Sequence, residues 1–248
     1  MKAMILAAGL GSRLKPITDN MPKALVCVGG RPMLEHAILR LKAAGFSRIV
    51  VNVHHFGRQI VDFLAANNDF GLKIDISDES DYLFDTGGGI KRARVFLDGA
   101  EPFLVCNVDV FSSVDLKALY NAHAASGDTL ATLLVSRRPS SRQILFDGDN
   151  RLCGWRNRDT GAVKSFYPGF DPSKHLESAF GGVHVISPSI FRMMEEWTGK
   201  FSIIDFYLSV APVMRILACP ANDGVEIIDA GSHETLHDAE MWLKKHGF

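Results

Sequence analysis

Cysteine is scarce and shows no pairing pattern: four thiols, at positions 27, 106, 153 and 219, with no C-x-x-C among them. That argues against a zinc ribbon or a disulfide framework and for a reduced, cytoplasmic compartment. Long apolar runs are missing. Nothing approaches the ~20 apolar residues of a membrane span. The apolar start, residues 1–9, is too short for a secretory leader, and Arg13 and Lys15 follow it at once. An excess of one charge sign is also missing. The formal net charge is −1, which argues against electrostatic binding of nucleic acid as the main task but leaves room for a locally basic pocket. No Walker string occurs, because Gly199-Lys200 runs into Phe201. With 47% hydrophobic and 22% charged residues the chain is neither disordered nor low in complexity, and 248 residues suffice for one large α/β domain.

Clustered glycine is what the chain does have. Turn glycines are usually dispersed, yet here they gather at 9–11 and 87–89. Around them the pattern alternates. Apolar, β-branched runs at 2–7, 48–53, 73–77, 102–107 and 129–135 read as strands. Helical spacing appears at 32–44, 59–66, 90–97 and 115–125. Such alternation predicts βαβ units and a mostly parallel sheet. The rhythm breaks over 137–175, with a hairpin expected at Gly148-Asp149-Asn150. A strand at 183–186, helices at 189–197 and 203–217 (the second disturbed by Pro212), a strand at 225–229 and a final helix capped by Ser232 complete the reading. The simplest organisation is one domain, 1–248, with an irregular insertion at about 137–182.

The first glycine cluster reads Gly9-Leu10-Gly11-Ser12-Arg13, with Pro22-Lys23 further on. A glycine loop after a first strand lets backbone N–H groups approach phosphate oxygens, and nearby cations neutralise them. A dinucleotide fingerprint fits poorly: Leu14 holds the third glycine position and Pro16 follows. A long turn with solvated charges is the plain alternative.

The string from Leu6 to Leu25 resembles the signature of the sugar-1-phosphate nucleotidylyltransferases, G-x-G-[ST]-R, a spacer, then P-K. The resemblance continues through Asp85-Thr86-Gly87-Gly88-Gly89, Asn107-Val108-Asp109 and Ile228-Asp229-Ala230-Gly231, and so covers nearly the whole chain. Among family members the short single-domain type is closest in character: the N-acetylmuramate-1-phosphate uridylyltransferases and the mannose- or heptose-1-phosphate guanylyltransferases. The resemblance implies a three-layer α/β/α fold of the Rossmann-like nucleotide-diphospho-sugar transferase kind. It implies a nucleoside triphosphate and a sugar 1-phosphate as partners, with no nucleic acid or membrane, and Mg2+ as cofactor. By the same resemblance Leu6, Ala7, Ala8, Gly9, Gly11 and Ser12 would hold the nucleotide, with Gly87 and Gly88 beneath its base or ribose. Arg13 and Lys23 would be catalytic, on the phosphates. Asp109 and Asp229 would hold the metal. Asn107, Gly182 and Lys164 would face the sugar. No hexapeptide repeat is present, so a transferase-only form is expected.

Elementary chemistry agrees with that assignment. Nucleotidyl transfer relies on positioning and charge neutralisation. Arg suits a departing pyrophosphate, Lys a single phosphate oxygen, and Mg2+ one or two carboxylates. The attacking sugar-phosphate oxygen is already an anion and needs no general base. Some points stay open. Asp85 either reads N–H donors on a base or is a rim residue. His54-His55 at a strand end point apart and supply no tetrahedral metal set. Val108 stands where many relatives have glycine, so the backbone there must avoid positive φ. Two further readings are a choline-phosphate cytidylyltransferase, with Trp155, Phe166 and Tyr167 as an aromatic cage, and a nucleotide-binding regulator without turnover.

Overall fold

The computed structural model describes residues 1–246. The first part of the chain forms β1 (Lys2–Leu6), α1 (Met33–Ala43), β2 (Arg48–Val53), α2 (Gly57–Ala66), β3 (Lys73–Asp78), α3 (Asp85–Arg92), β4 (Phe103–Asn107), β5 (Val110–Ser112), α4 (Leu116–Ala124) and β6 (Thr129–Ser136). After these come β7 (Arg142–Phe146), β8 (Leu152–Asn157), β9 (Val163–Lys164), β10 (Leu176–Ile186), α5 (Ile203–Val210), β11 (Arg215–Pro220), β12 (Ile227–Asp229) and α6 (His233–His246).

The main sheet is mixed, in the order β9-β8-β7-β10-β4-β1-β2-β3, with β6 beside β10 and β11 beside β6. The expected alternation produces its parallel block: β1 with β2 and β4, and β2 with β3. The irregular segment supplies antiparallel strands, and β10 runs against β4, β6 and β7. The expected hairpin joins β7 to β8, and Asp147 Oδ1 accepts from Asp149 and Arg151 N–H at its turn.

Strand periodicity splits the core into two layers. Ala3 and Ile5 point into a cluster with Leu34 and Ile38 of α1, Ile60 of α2, Leu119 of α4 and Trp242 of α6. Met4 points the other way, with Ile90 of α3 and Phe206 of α5. The result is an α/β/α sandwich. Ile5, Met4 and Leu34 are fully buried, and burial of each such side chain stabilises the fold by about 1.5–3 kcal/mol.

Some element bounds differ from those the sequence suggests. The helix expected at 90–97 begins at Asp85 and takes in the second glycine cluster. The helix expected at 203–217 ends at Val210, ahead of Pro212, and the chain then enters β11. Helix at 189–197 shrinks to Ile190–Met193, the strand at 183–186 extends back to Leu176, and β12 starts at Ile227.

β1 lies between β2 and β4, with Leu6 level with both Asn52 and Asn107. The chain leaves β1 towards β2 and later returns to β4 on its other side. A crevice therefore opens at the carboxyl ends of these strands, as parallel sheets require at such a switch.

Two buried histidines are expected to make the fold sensitive to acid. Burial holds His123 down at about 4, with Thr132 Oγ1 at 2.8 Å and Ser187 Oγ at 3.0 Å. It holds His184 down at about 3, with Tyr207 Oη 2.9 Å from its Nδ1. The unfolded chain takes up these protons near 6.5, so below that pH it binds more protons than the folded chain. Stability is therefore expected to fall as pH drops from about 6.5 towards 4, and His184→Gln to flatten the slope. Thermal unfolding across that window measures it; a wild-type midpoint independent of pH there would show that the fold does not hold these histidines neutral.

Candidate active site

The first glycine loop leaves β1 at Leu6 and runs through Ala7, Ala8, Gly9 and Gly11 to a 3-10 turn, Ser12–Leu14. Gly11 has φ +65°, and a side chain there would strike Thr18 at 2.8 Å. Two hydrogen bonds fix the turn: Leu14 N–H and Thr18 Oγ1 both donate to Gly11 C=O at 2.8 Å. Leu14 is fully buried and anchors the loop, while Arg13 stays largely exposed beside it.

Lys23 opens another 3-10 turn after Pro22, and its ammonium donates to Asp109 Oδ2. Asp109 sits in the short link between β4 and β5. Val108 N–H donates to Leu6 C=O at 3.2 Å, which ties this link to the end of β1. Val108 does not have a positive φ, as a valine requires. β5 pairs with β12 so that Asp229 lies opposite Val110, and Ala230 N–H donates to Asp109 C=O at 2.8 Å. This short ribbon brings together two aspartates that lie far apart in the chain.

Gly231 shows how closely they meet. A Cβ there would lie 2.5 Å from Arg13 Nη2, 2.6 Å from Asp229 Oδ1 and 3.1 Å from Asp109 Oδ2. Arg13 Nη2 is 3.9 Å from Asp229 Oδ1, and Gly231 N–H donates to that oxygen at 2.9 Å. Burial, then the like charge of Asp109, push the Asp229 carboxyl above its ordinary range; Lys23, Arg13 and the Gly231 N–H pull it back. Two converging carboxylates that repel each other beside the first glycine loop are a donor set that Mg2+ accepts. Among the described residues no group of three or more His, Cys, Asp and Glu gathers as a metal centre.

The other expected residues divide. Gly182, at φ +69°, would place a Cβ 2.6 Å from Val110 and 3.1 Å from Asn107 Nδ2, so Asn107 and Gly182 lie together at the link that carries Asp109. Lys164 pairs elsewhere, with Asp205 at 2.7 Å and over the Trp155 ring at 5.3 Å. Gly87 and Gly88 are buried, and both N–H groups donate to Phe201 C=O. A side chain at Gly87 would enter the Phe201 ring at 2.5 Å, and one at Gly88 would meet Gly199 C=O at 2.8 Å. Packing of α3 against 199–203 is enough to require glycine at both. Asp85 takes φ +63°, a conformation Asp tolerates, and its Oδ1 accepts from Thr86 N–H at 2.6 Å. The aromatic cage does not assemble: Tyr167 donates to Ala211 C=O at 2.9 Å, Trp155 packs on the core beneath Lys164, and Phe166 is exposed.

Sequence reasoning missed Asn52 and Glu79. Asn52 Oδ1 accepts from Ala7 N–H at 2.7 Å, and its Nδ2 donates to Glu79 Oε1 at 2.7 Å. Phe84 N–H donates to Glu79 Oε2 at 3.3 Å. The available signal was an Asn interrupting the apolar run Ile49–Val53. His54 joins the same corner, with Nδ1 at 2.6 Å from Glu79 C=O.

A family model described as nucleotidyl transferase matches residues 2–146. The N-acetylmuramate alpha-1-phosphate uridylyltransferase of Neisseria meningitidis is 46% identical over 217 residues, covering 87% of this chain and 84% of the relative. The protein of that name from Caulobacter vibrioides is 44% identical over 225 residues, covering 86% of each. Among solved structures, HddC from Yersinia pseudotuberculosis complexed with GMP-PN superposes with a TM-score of 0.75 at 23% identity, covering 98% of this chain and 99% of that one.

The carboxylate pair yields a direct test. Asp109→Asn removes the like charge and leaves Lys23 without its counter-ion, so the Asp229 carboxyl is expected to titrate at lower pH than in the wild type. Carboxyl 13C NMR across a pH series reads it. An unchanged or higher titration point would show that the two carboxylates do not share a field.

Proposed function

The chain belongs to the nucleotidyl transferase family, and from that premise we propose that it joins UTP to N-acetylmuramate 1-phosphate, giving the nucleotide sugar and pyrophosphate, with Mg2+ as cofactor. The observation that carries the transfer chemistry is the alternation of charge around Gly231: Arg13 against Asp229, and Lys23 against Asp109. The sugar and the base rest on the two relatives at 46% and 44% identity.

In this reading the loop amides from Ala8 to Ser12 face the triphosphate, and Arg13 takes the β- and γ-phosphates with its planar fork. Lys23 moves from Asp109 to an α-phosphate oxygen and offsets the charge that builds there. Asp109 and Asp229 would hold Mg2+, which when bound neutralises phosphate charge. The sugar-phosphate oxygen forms the new bond to the α-phosphorus as the bond to pyrophosphate breaks. Asn107 and Gly182 border the sugar. Lys164 contributes only if it releases Asp205. The substrates supply both the nucleophile and the leaving group, so the protein's task is to align them and to offset their charge.

Pyrophosphate release, screened over UTP, GTP, CTP, ATP and dTTP against a panel of sugar 1-phosphates and phosphocholine, tests the proposal. UTP with N-acetylmuramate 1-phosphate is expected to give the highest kcat/KM. Turnover confined to CTP with phosphocholine would favour the choline-phosphate reading, and nucleotide binding without any turnover would favour a regulator. In the active pair Lys23→Ala is expected to lower kcat/KM by roughly 100-fold or more with the fold intact by circular dichroism; an unchanged value would remove Lys23 from the phosphates.

A further inference from the structure

We propose that Asn52 and Glu79 are positioning residues: a buried pair that locks the first glycine loop to the start of α3 and so holds the nucleotide pocket in its binding shape. The inference rests on the nucleotide-binding reading above.

The link is continuous. Ala7 N–H, the first amide of the loop, donates to Asn52 Oδ1 at 2.7 Å; Asn52 Nδ2 donates to Glu79 Oε1 at 2.7 Å; Phe84 N–H, immediately before α3, donates to Glu79 Oε2 at 3.3 Å. Glu79 is fully buried and Asn52 nearly so. Gly89 closes over the junction, where a Cβ would lie 2.8 Å from Glu79 Oε1 and 3.1 Å from Asn52 Nδ2. Glu79 is held from its backbone as well: its N–H donates to Val53 C=O at 2.8 Å, and its C=O lies 2.6 Å from His54 Nδ1.

Donor and acceptor polarity dictates the residue types. A backbone N–H can only donate, so Ala7 requires the oxygen of Asn52 and turns its NH2 towards Glu79. Glu79 then meets two donors, the Asn52 amide and Phe84 N–H, and must accept with both oxygens. Glutamine cannot do that; a carboxylate can. Burial raises the Glu79 carboxyl, while these two hydrogen bonds, and Arg92 and His54 at longer range, hold it down. A buried carboxylate with no ion pair among the described residues is an expensive way to fill space. Its return here is a fixed distance between the loop that faces the phosphates and the helix that starts beside it.

Reversing the middle bond of this chain tests the pair. Asn52→Asp sets carboxylate against carboxylate, and Glu79→Gln sets NH2 against an N–H donor. Together they restore every bond with the middle one reversed. The new carboxylate at position 52 accepts from Ala7 N–H and from the new amide NH2 at position 79, and the amide oxygen at position 79 accepts from Phe84 N–H. UTP affinity by calorimetry, KM and kcat by pyrophosphate release, and amide exchange at residues 6–11 are compared for wild type, both single variants and the double. Each single variant is expected to weaken UTP binding and raise its KM by about ten-fold, with kcat less affected, and to speed exchange in the loop; the double is expected to return to within about three-fold of wild type. If a single variant does not fold, a folded double that binds UTP carries the same support. A double no better than the worse single overturns the proposal. So does a pair of singles that melt early yet bind UTP as wild type does, which would mark a merely structural role. Glu79→Gln that changes base preference and is not rescued would put Glu79 on the nucleotide itself and also overturn it. Wild type that binds no nucleotide would defeat the functional reading, and this inference with it; unrescued variants of a wild type that binds would defeat this inference alone.

Discussion

Two carboxylates are forced to share one small space. Asp109 and Asp229 converge on Gly231, where a Cβ would lie 2.6 Å from Asp229 Oδ1, 3.1 Å from Asp109 Oδ2 and 2.5 Å from Arg13 Nη2. Like charges at that range repel, and burial adds to the cost of keeping Asp229 ionised. The arrangement persists because Lys23 and Arg13 lie against it and because the β5–β12 ribbon fixes the backbone on either side. Under the proposed function the partners would exchange: the cations that now offset carboxylates would turn to phosphates if Mg2+ took the aspartates. The near-zero net charge of the chain conceals this local balance.

The rest of the fold serves that convergence. β1 stands between β2 and β4, so the loop after β1 and the link after β4 leave the sheet side by side. Apolar side chains alternate between two packed layers and leave little freedom for the strands to slip, because a one-residue shift would exchange the layers. At the strand ends polar residues take over. Asn52 ties Ala7 to Glu79, and Val108 N–H ties the Asp109 link to Leu6.

Some of this was legible in the chain. Gly9-Leu10-Gly11-Ser12-Arg13 after an apolar run, Pro22-Lys23, and an aspartate at each of two strand ends are local patterns, and the structure brings Arg13, Lys23, Asp109 and Asp229 together. The parallel block followed from alternating periodicities. What was not legible depends on contacts remote in sequence. Three consecutive glycines carry no helical signal, yet α3 begins across them because Phe201 and Gly199 press on it from over a hundred residues away. Asn52 and Glu79 look like strand-end polar residues until the fold joins their side chains. The family resemblance put Lys164 beside the sugar, and in the structure its ammonium lies 2.7 Å from Asp205 of α5.

Under the proposed function this protein aligns its substrates and balances their charge without forming a bond to them. The configuration at phosphorus tests that most directly. With a nucleoside triphosphate made chiral at the α-phosphorus by sulfur substitution, one in-line displacement by the sugar phosphate inverts that centre. Inversion is expected in the nucleotide-sugar product. Retention would reveal two displacements and a nucleotidyl group held covalently by the protein, and would contradict it.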